Sequence, residues 1–161
     1  MVRYYIIAYY PMEASMTKLV QSLLLILLTS IVFQANAASE DKPFAEQKVV
    51  LQISDADPTK QTLVLNVASN LIKAYGPDKV DVEIVAFGPG LRLMFDDNHN
   101  KGRINGLADS GVRFAACGNT LKKVSQDLGR TPALNSHSTE VPAGVVRIVE
   151  LVNDGYILIK P

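Results

Sequence analysis

Along residues 48–160, short β-branched runs alternate with segments of helical period, and that alternation leaves few folds open. Residues 48–53 (KVVLQI) are mostly apolar without a helical period and predict a buried strand. Asp57-Pro58 then supplies an N-cap and a proline at the first helical position. Leu63, Val64, Val67, Ala68, Leu71, Ile72 and Tyr75 recur at helical spacing as a core-facing stripe, and Gly76-Pro77 ends that helix. Residues 80–87 predict a second strand, in which Val80, Val82, Ile84 and Ala86 alternate with Asp81, Glu83 and Val85. Gly88-Pro89-Gly90 turns the chain into a short helix over 91–95, and 96–102 form a polar loop. Ile104, Leu107 and Ala108 mark a helix ending at Ser110-Gly111, and 112–116 form a third strand reaching Cys117. Gly118-Asn119 opens a helix that turns Leu121, Val124 and Leu128 inward and closes at Gly129; residues 130–138 follow as a loop. Residues 145–152 are so β-branched that strand competes with helix, but Pro142 in front and Asp154-Gly155 behind favour helix. Residues 156–160 predict a closing strand. Strands alternating with helices make βαβ units with right-handed crossovers. The expected domain, residues 47–161, is therefore a flavodoxin-like three-layer α/β fold. Its sheet is mostly parallel, of about five strands, in an order near 2-1-3-4-5.

A different pattern precedes the domain. Met16-Thr-Lys18 gives a basic start, residues 19–33 are an apolar run broken only by Gln21, Ser22, Thr29 and Ser30, and Ala35-Asn36-Ala37 places small residues before a polar flank. This is the plan of a secretory signal. The run is short for a bilayer span, which needs about 20 apolar residues. The expectation is cleavage after Ala37, translation from Met16, residues 38–46 as a linker, and a periplasmic or secreted product that meets a membrane only if the signal stays uncut. Removing residues 1–37 from the 161 leaves 124 residues with 14 basic and 15 acidic side chains, since Arg3, Lys18 and Glu13 go with the signal. A near-neutral chain whose only adjacent basic pair is Lys122-Lys123 has no footprint for nucleic acid.

In an open parallel sheet, ligands bind beyond the carboxyl ends of the strands, where the strand order reverses. Loops 54–57, 88–90 and 117–120 are expected to meet there, and only the last carries a nucleophile. Cys117 stands at a strand-to-helix junction, where free N–H groups and a helix dipole favour an anion such as a thiolate. Gly118 would permit close approach, and Asn119 or Thr120 could donate a hydrogen bond to the sulfur. With one cysteine in the chain, an intramolecular disulfide is impossible, so the alternatives are a reactive thiol or an inert, packed one.

Weaker patterns carry less. Gly88-Pro89-Gly90 lacks the third glycine of a dinucleotide fingerprint and the lysine of a P-loop, so a plain turn is expected and no cofactor. Asp96, Asp97 and His99 match metal ligands in type only, and read as a solvated loop rather than a metal site. His137 is expected towards the opposite edge of the sheet from Cys117. Asp55 is better placed, but a carboxylate would raise the thiol pKa.

The stretch Gly111-Val-Arg-Phe-Ala-Ala-Cys117-Gly-Asn-Thr-Leu121 resembles the cysteine motif of the DsrE/DsrF-like family, in which a strand delivers a cysteine to a helix start. Val141-Pro-Ala-Gly-Val145, with Arg147, Glu150 and Gly155-Tyr-Ile-Leu-Ile-Lys-Pro161, is similar to that family's C-terminal part, so the likeness spans residues 48–161. It lies with the exported branch of the family. The basic Arg-Arg-Gly element of cytoplasmic relay members is replaced here by Lys122-Lys123 and Leu128-Gly129-Arg130. The resemblance implies a homo- or hetero-oligomer and a sulfur carrier holding a persulfide on Cys117, with sulfur donor and acceptor proteins as partners. The competing expectation is a non-catalytic oligomeric module that binds a small ligand or protein, with Cys117 structural.

Overall fold

The computed structural model describes Lys42 and residues 44–161; the N-terminal extension and signal expected over 1–37, and residues 38–41 and 43 of the linker, lie outside the described residues. Where the linker is described it is fastened to the domain. Lys42 Nζ donates to Pro77 O (2.6 Å) and Val80 O (3.2 Å), and Glu46 pairs with Lys79 at 2.7 Å.

The elements follow in the order β1 (Gln47–Ile53), α1 (Pro58–Tyr75), β2 (Val80–Ala86), a 3-10 helix (Gly88–Met94), α2 (Lys101–Asp109), β3 (Arg113–Cys117), α3 (Gly118–Leu128), β4 (Ser138–Val141), α4 (Gly144–Asn153) and β5 (Ile157–Ile159). Local chemistry explains the boundaries of α1. The Asp57 carboxylate accepts from Thr59 N at 2.7 Å, Pro58 occupies the first turn, and Gly76 at φ 88° returns its N–H to Ile72 O. The β-branched segment after Pro142 is helical, in keeping with its flanking residues.

The five strands form one parallel sheet, giving the expected three-layer α/β domain, but in the order β4-β3-β2-β1-β5 rather than 2-1-3-4-5. From β1 to β4 each crossover advances one place in the same direction. Right-handed connections therefore stack α1, the 3-10 helix, α2 and α3 on one face. That layer holds Val64, Leu65, Ala68, Leu91, Ile104 and Leu121 against Leu51, Val82, Ile84 and Phe114. The chain then returns over the other face through α4, which packs Ile148 and Leu151 on Val50, Val85 and Ala115, to place β5 beside β1.

The physical reason for this order lies in β2. All seven of its residues are buried, so Asp81 and Glu83 do not alternate towards water but into the α4 layer. Glu83 pairs in register with Arg113 of β3 and receives Arg147 of α4, contacts that require β3 next to β2. With β2 at an edge beyond β1, both carboxylates would lack those cations.

Gly90 joins the first two loops. A Cβ there would lie 2.5 Å from Ile53 O and 2.8 Å from Ser54 Cα, contacts with backbone that cannot swing aside. Gly90→Ala is expected to cost about 1–3 kcal/mol, read as a lower urea midpoint at unchanged slope. Wild-type stability would show that the 3-10 helix is free to shift off β1.

Candidate functional site

The strand order moves the expected crevice. The loop after β3 enters α3 on one face and the loop after β4 enters α4 on the other, so the switch point lies between β3 and β4. Cys117 ends β3 opposite Val141 and caps α3, while Gly144 begins α4. The sulfur thus sits where two helix N-termini diverge.

Cys117 is 5% exposed. Burial is the largest influence on its thiol and pushes the pKa up. The polar groups around it, the Thr120 hydroxyl and the N–H groups of Gly144, Thr120 and Asn119, together outweigh burial and set the thiol below the ordinary cysteine value, although the Cys117 side chain makes no capping hydrogen bond to α3. The Thr120 hydroxyl is oriented by its second bond. Its oxygen accepts from Gly88 N at 3.0 Å, which leaves the hydroxyl proton for the sulfur. Asn119 N–H contributes least and is shared with Pro142 O at 3.2 Å.

The two glycines have different roles. The missing Cβ of Gly118 faces Glu140 Oε1 (2.6 Å) and Val141 O (3.2 Å), so that glycine makes room for β4 rather than for approach to the sulfur. Close approach belongs to Gly144, whose Cβ would meet Phe87 Cβ at 3.1 Å and Cys117 Cβ at 3.3 Å. Loops 88–90 and 117–120 do meet, through Gly88 and Thr120, and Gly90 links them to the end of β1. The loop at 142–144 joins them, an addition that sequence reasoning missed.

The remaining candidates lie elsewhere. His137 is not at the opposite edge: it precedes β4, the neighbour of β3, but at the other end of the strands. Ser138 pairs with Phe114, three residues before Cys117, or about 10 Å along the strand. Asp96 pairs with Lys101 at 2.7 Å and His99 Nε2 lies 3.0 Å from Asn100 Nδ2. Among the described residues, no group of three or more His, Cys, Asp or Glu is placed to hold a metal ion. A depression lined by Gly88, Pro89, Arg92, Val124, Asp127 and Leu128 lies between the 3-10 helix and α3 and does not include Cys117.

Comparison with known proteins bears on the fold. No family model and no curated protein matches the chain. It is similar to a solved structure. The protein of unknown function MTH1491 from Methanobacterium thermoautotrophicum is 29% identical at a TM-score of 0.65, over 72% of this chain and 100% of that one. The conserved protein of unknown function BT1422 from Bacteroides thetaiotaomicron is 16% identical at a TM-score of 0.47, over 78% of this chain and 100% of that one. The likeness to MTH1491 spans the α/β domain and agrees with its three layers.

Sequence reasoning also missed a buried polar cluster beneath α4. Arg147 grips Glu83 with two parallel bonds of 2.8 Å, and Arg113 Nη2 lies 3.2 Å from Glu83 Oε2 and from Asp81 Oδ1. The Tyr156 hydroxyl donates to Asp81 Oδ2 at 2.5 Å and accepts from Arg113 Nη2 at 2.7 Å. Burial, then that bond to Asp81, pushes the Tyr156 pKa up to about 12. Asp81 Oδ1 and Arg113 Nε and Nη1 are buried without a hydrogen-bond partner. Two carboxylates two residues apart in an otherwise apolar central strand were the available signal, because a central parallel strand is covered on both faces.

Proposed function

We propose that this chain is an exported sulfur carrier of the DsrE type that holds sulfane sulfur on Cys117. What carries the reading is the sulfur's position between two helix N-termini, among donors that favour the thiolate over the thiol. The Cys117 thiolate attacks the outer sulfur of a donor persulfide, R–S–SH. The donor S–S bond breaks, R–S⁻ leaves with its electron pair, and Cys117 carries the outer sulfur as a persulfide. Loss of its proton gives an anion that the N–H groups of Gly144, Thr120 and Asn119 and the Thr120 hydroxyl are suited to stabilise. An acceptor thiolate then attacks that outer sulfur and regenerates the Cys117 thiolate, with no net oxidation. Its partners in this reading are a donor, an acceptor and further copies of itself. Residues 16–37 support a place outside the reducing cytoplasm.

A second reading, the non-catalytic binding module, is favoured by the 5% exposure of Cys117. Intact-mass measurement after incubation with inorganic polysulfide separates the two. The carrier gains one sulfur, lost on reduction and absent in Cys117→Ser. A wild-type mass that never changes, with Cys117→Ser behaving identically, establishes the structural role instead.

A further inference from the structure

Cys117 does not stand alone at the end of β3. Ala86 pairs in register with Ala116, and Phe87 continues β2 in extended conformation (φ −147°, ψ 171°), so its side chain falls beside Cys117. On the other flank Cys117 pairs with Val141. Alternation sends all three side chains to the α4 layer. Ala86 and Ala116 belong to the opposite layer, whereas Phe87 and Val141 pack against Val50, Val85 and Ala115. The thiol is thus the middle of a row, between Phe87 and Val141, at the carboxyl end of the sheet.

Gly144 closes the row from the helix side. A Cβ there would stand 3.3 Å from both Cys117 Cβ and Phe87 Cδ1, so the ring and the thiol side chain border the same narrow gap. Cys117 is buried while Phe87 and Val141 are only half-buried, so the two apolar flanks meet more solvent than the sulfur does. Glu140, next to Val141, turns to the opposite layer with Ala116, its partner in register. The lips beside the sulfur are therefore apolar, and what they select is size.

Exchange at sulfur depends on access to the reacting atoms. A hydrogen polysulfide ion is a chain one sulfur atom wide. A persulfide on a peptide or protein carries a branched α-carbon two bonds behind its inner sulfur, and that branch meets the flanks before the outer sulfur reaches Cys117. We propose that Phe87 and Val141 form a slot that admits inorganic polysulfide to Cys117 and excludes sulfur donors carried on a peptide or protein. This selection rests on the sulfur-carrier reading and names the donor class for it. The Cys117 thiolate attacks the protonated end sulfur of the hydrogen polysulfide ion. The adjoining S–S bond breaks, a polysulfide dianion one sulfur shorter leaves with the bonding pair, and Cys117 keeps the end sulfur and its proton as a persulfide.

The test is the rate at which the full chain gains one sulfur, followed by intact mass, from inorganic polysulfide and from glutathione persulfide. Each rate is divided by that of N-acetylcysteine with the same donor. The wild type is expected to favour polysulfide by about tenfold or more, the discrimination that a misfit of a few atoms brings in an apolar pocket. Phe87→Ala is expected to bring the two donors within about twofold of each other, since the misfit is then relieved. A change in the thiol itself would scale both rates and leave their ratio alone. Equal loading of the wild type from both donors overturns the slot and leaves the carrier standing, whereas no loading from either overturns the carrier and the slot's role with it. An unchanged preference in Phe87→Ala also overturns the slot. Should that variant fail to fold, Phe87→Leu decides: it keeps an aliphatic contact and removes the ring, and an unchanged preference there overturns the slot.

Discussion

Replacing Glu83 with alanine is expected to lower the stability of the domain by about 3–5 kcal/mol, the usual cost of leaving a buried ion-pair network without one partner. Glu83 is the hub of that network, taking two bonds of 2.8 Å from Arg147 and the approach of Arg113 at 3.2 Å. Without it, Arg113 keeps Asp81 as its charged partner, and Arg147 keeps only the half-exposed Glu150 at 3.7 Å. Arg113 is poorly placed to compensate, since its Nε and Nη1 already lack partners. The loss also falls on α4, because Arg147 to Glu83 is the polar tie between that helix and the sheet. Urea unfolding measures it, with Glu83→Gln expected between alanine and wild type because the amide still accepts one bond. A loss under about 1 kcal/mol would mean that water reaches both arginines and that the cluster is hydrated rather than sealed.

That cluster shows where the sequence was legible and where it was not. Helix α1 could be read from Asp57-Pro58 at its start and Gly76 at its end, because caps act within a few residues. Strand β2 could be read from its alternation, and Cys117 could be placed at a strand-to-helix junction from its neighbours alone. The strand Ser138–Val141 could not. Its sequence, STEV, is polar and half exposed because it is an edge strand, so neither apolar run nor alternation marks it. Losing β4 lost the strand order, and with it the position of α4 and the approach of Gly144 to the sulfur. The burial of Asp81 and Glu83 depends on the same long-range fact, since a carboxylate in β2 faces water or an arginine according to which strands flank it.

Removing the Thr120 hydroxyl is expected to slow alkylation of Cys117 at pH 7 by about tenfold, roughly 1.5 kcal/mol for one hydrogen bond to a charged group. The folded thiol lies below its ordinary value because the donors favour the anion more than burial opposes it. Reactivity towards iodoacetamide should therefore rise with pH through a midpoint below that of a free cysteine, and in Thr120→Val the midpoint should move up. Above both midpoints the two rates should converge, which a change in access to the sulfur would not produce. Thr120→Ser should restore the wild-type profile, since serine keeps both the acceptor for Gly88 N–H and the donor to sulfur. Stability should follow the same linkage. A depressed thiol pKa adds stability that is complete above the unfolded thiol's pKa and is lost as pH falls through the folded value. Measured against Cys117→Ser, the wild type should thus gain stability as pH rises through that window, and Thr120→Val should gain less. Identical profiles for wild type and Thr120→Val would assign the thiolate's stabilisation to the two helix N-termini alone.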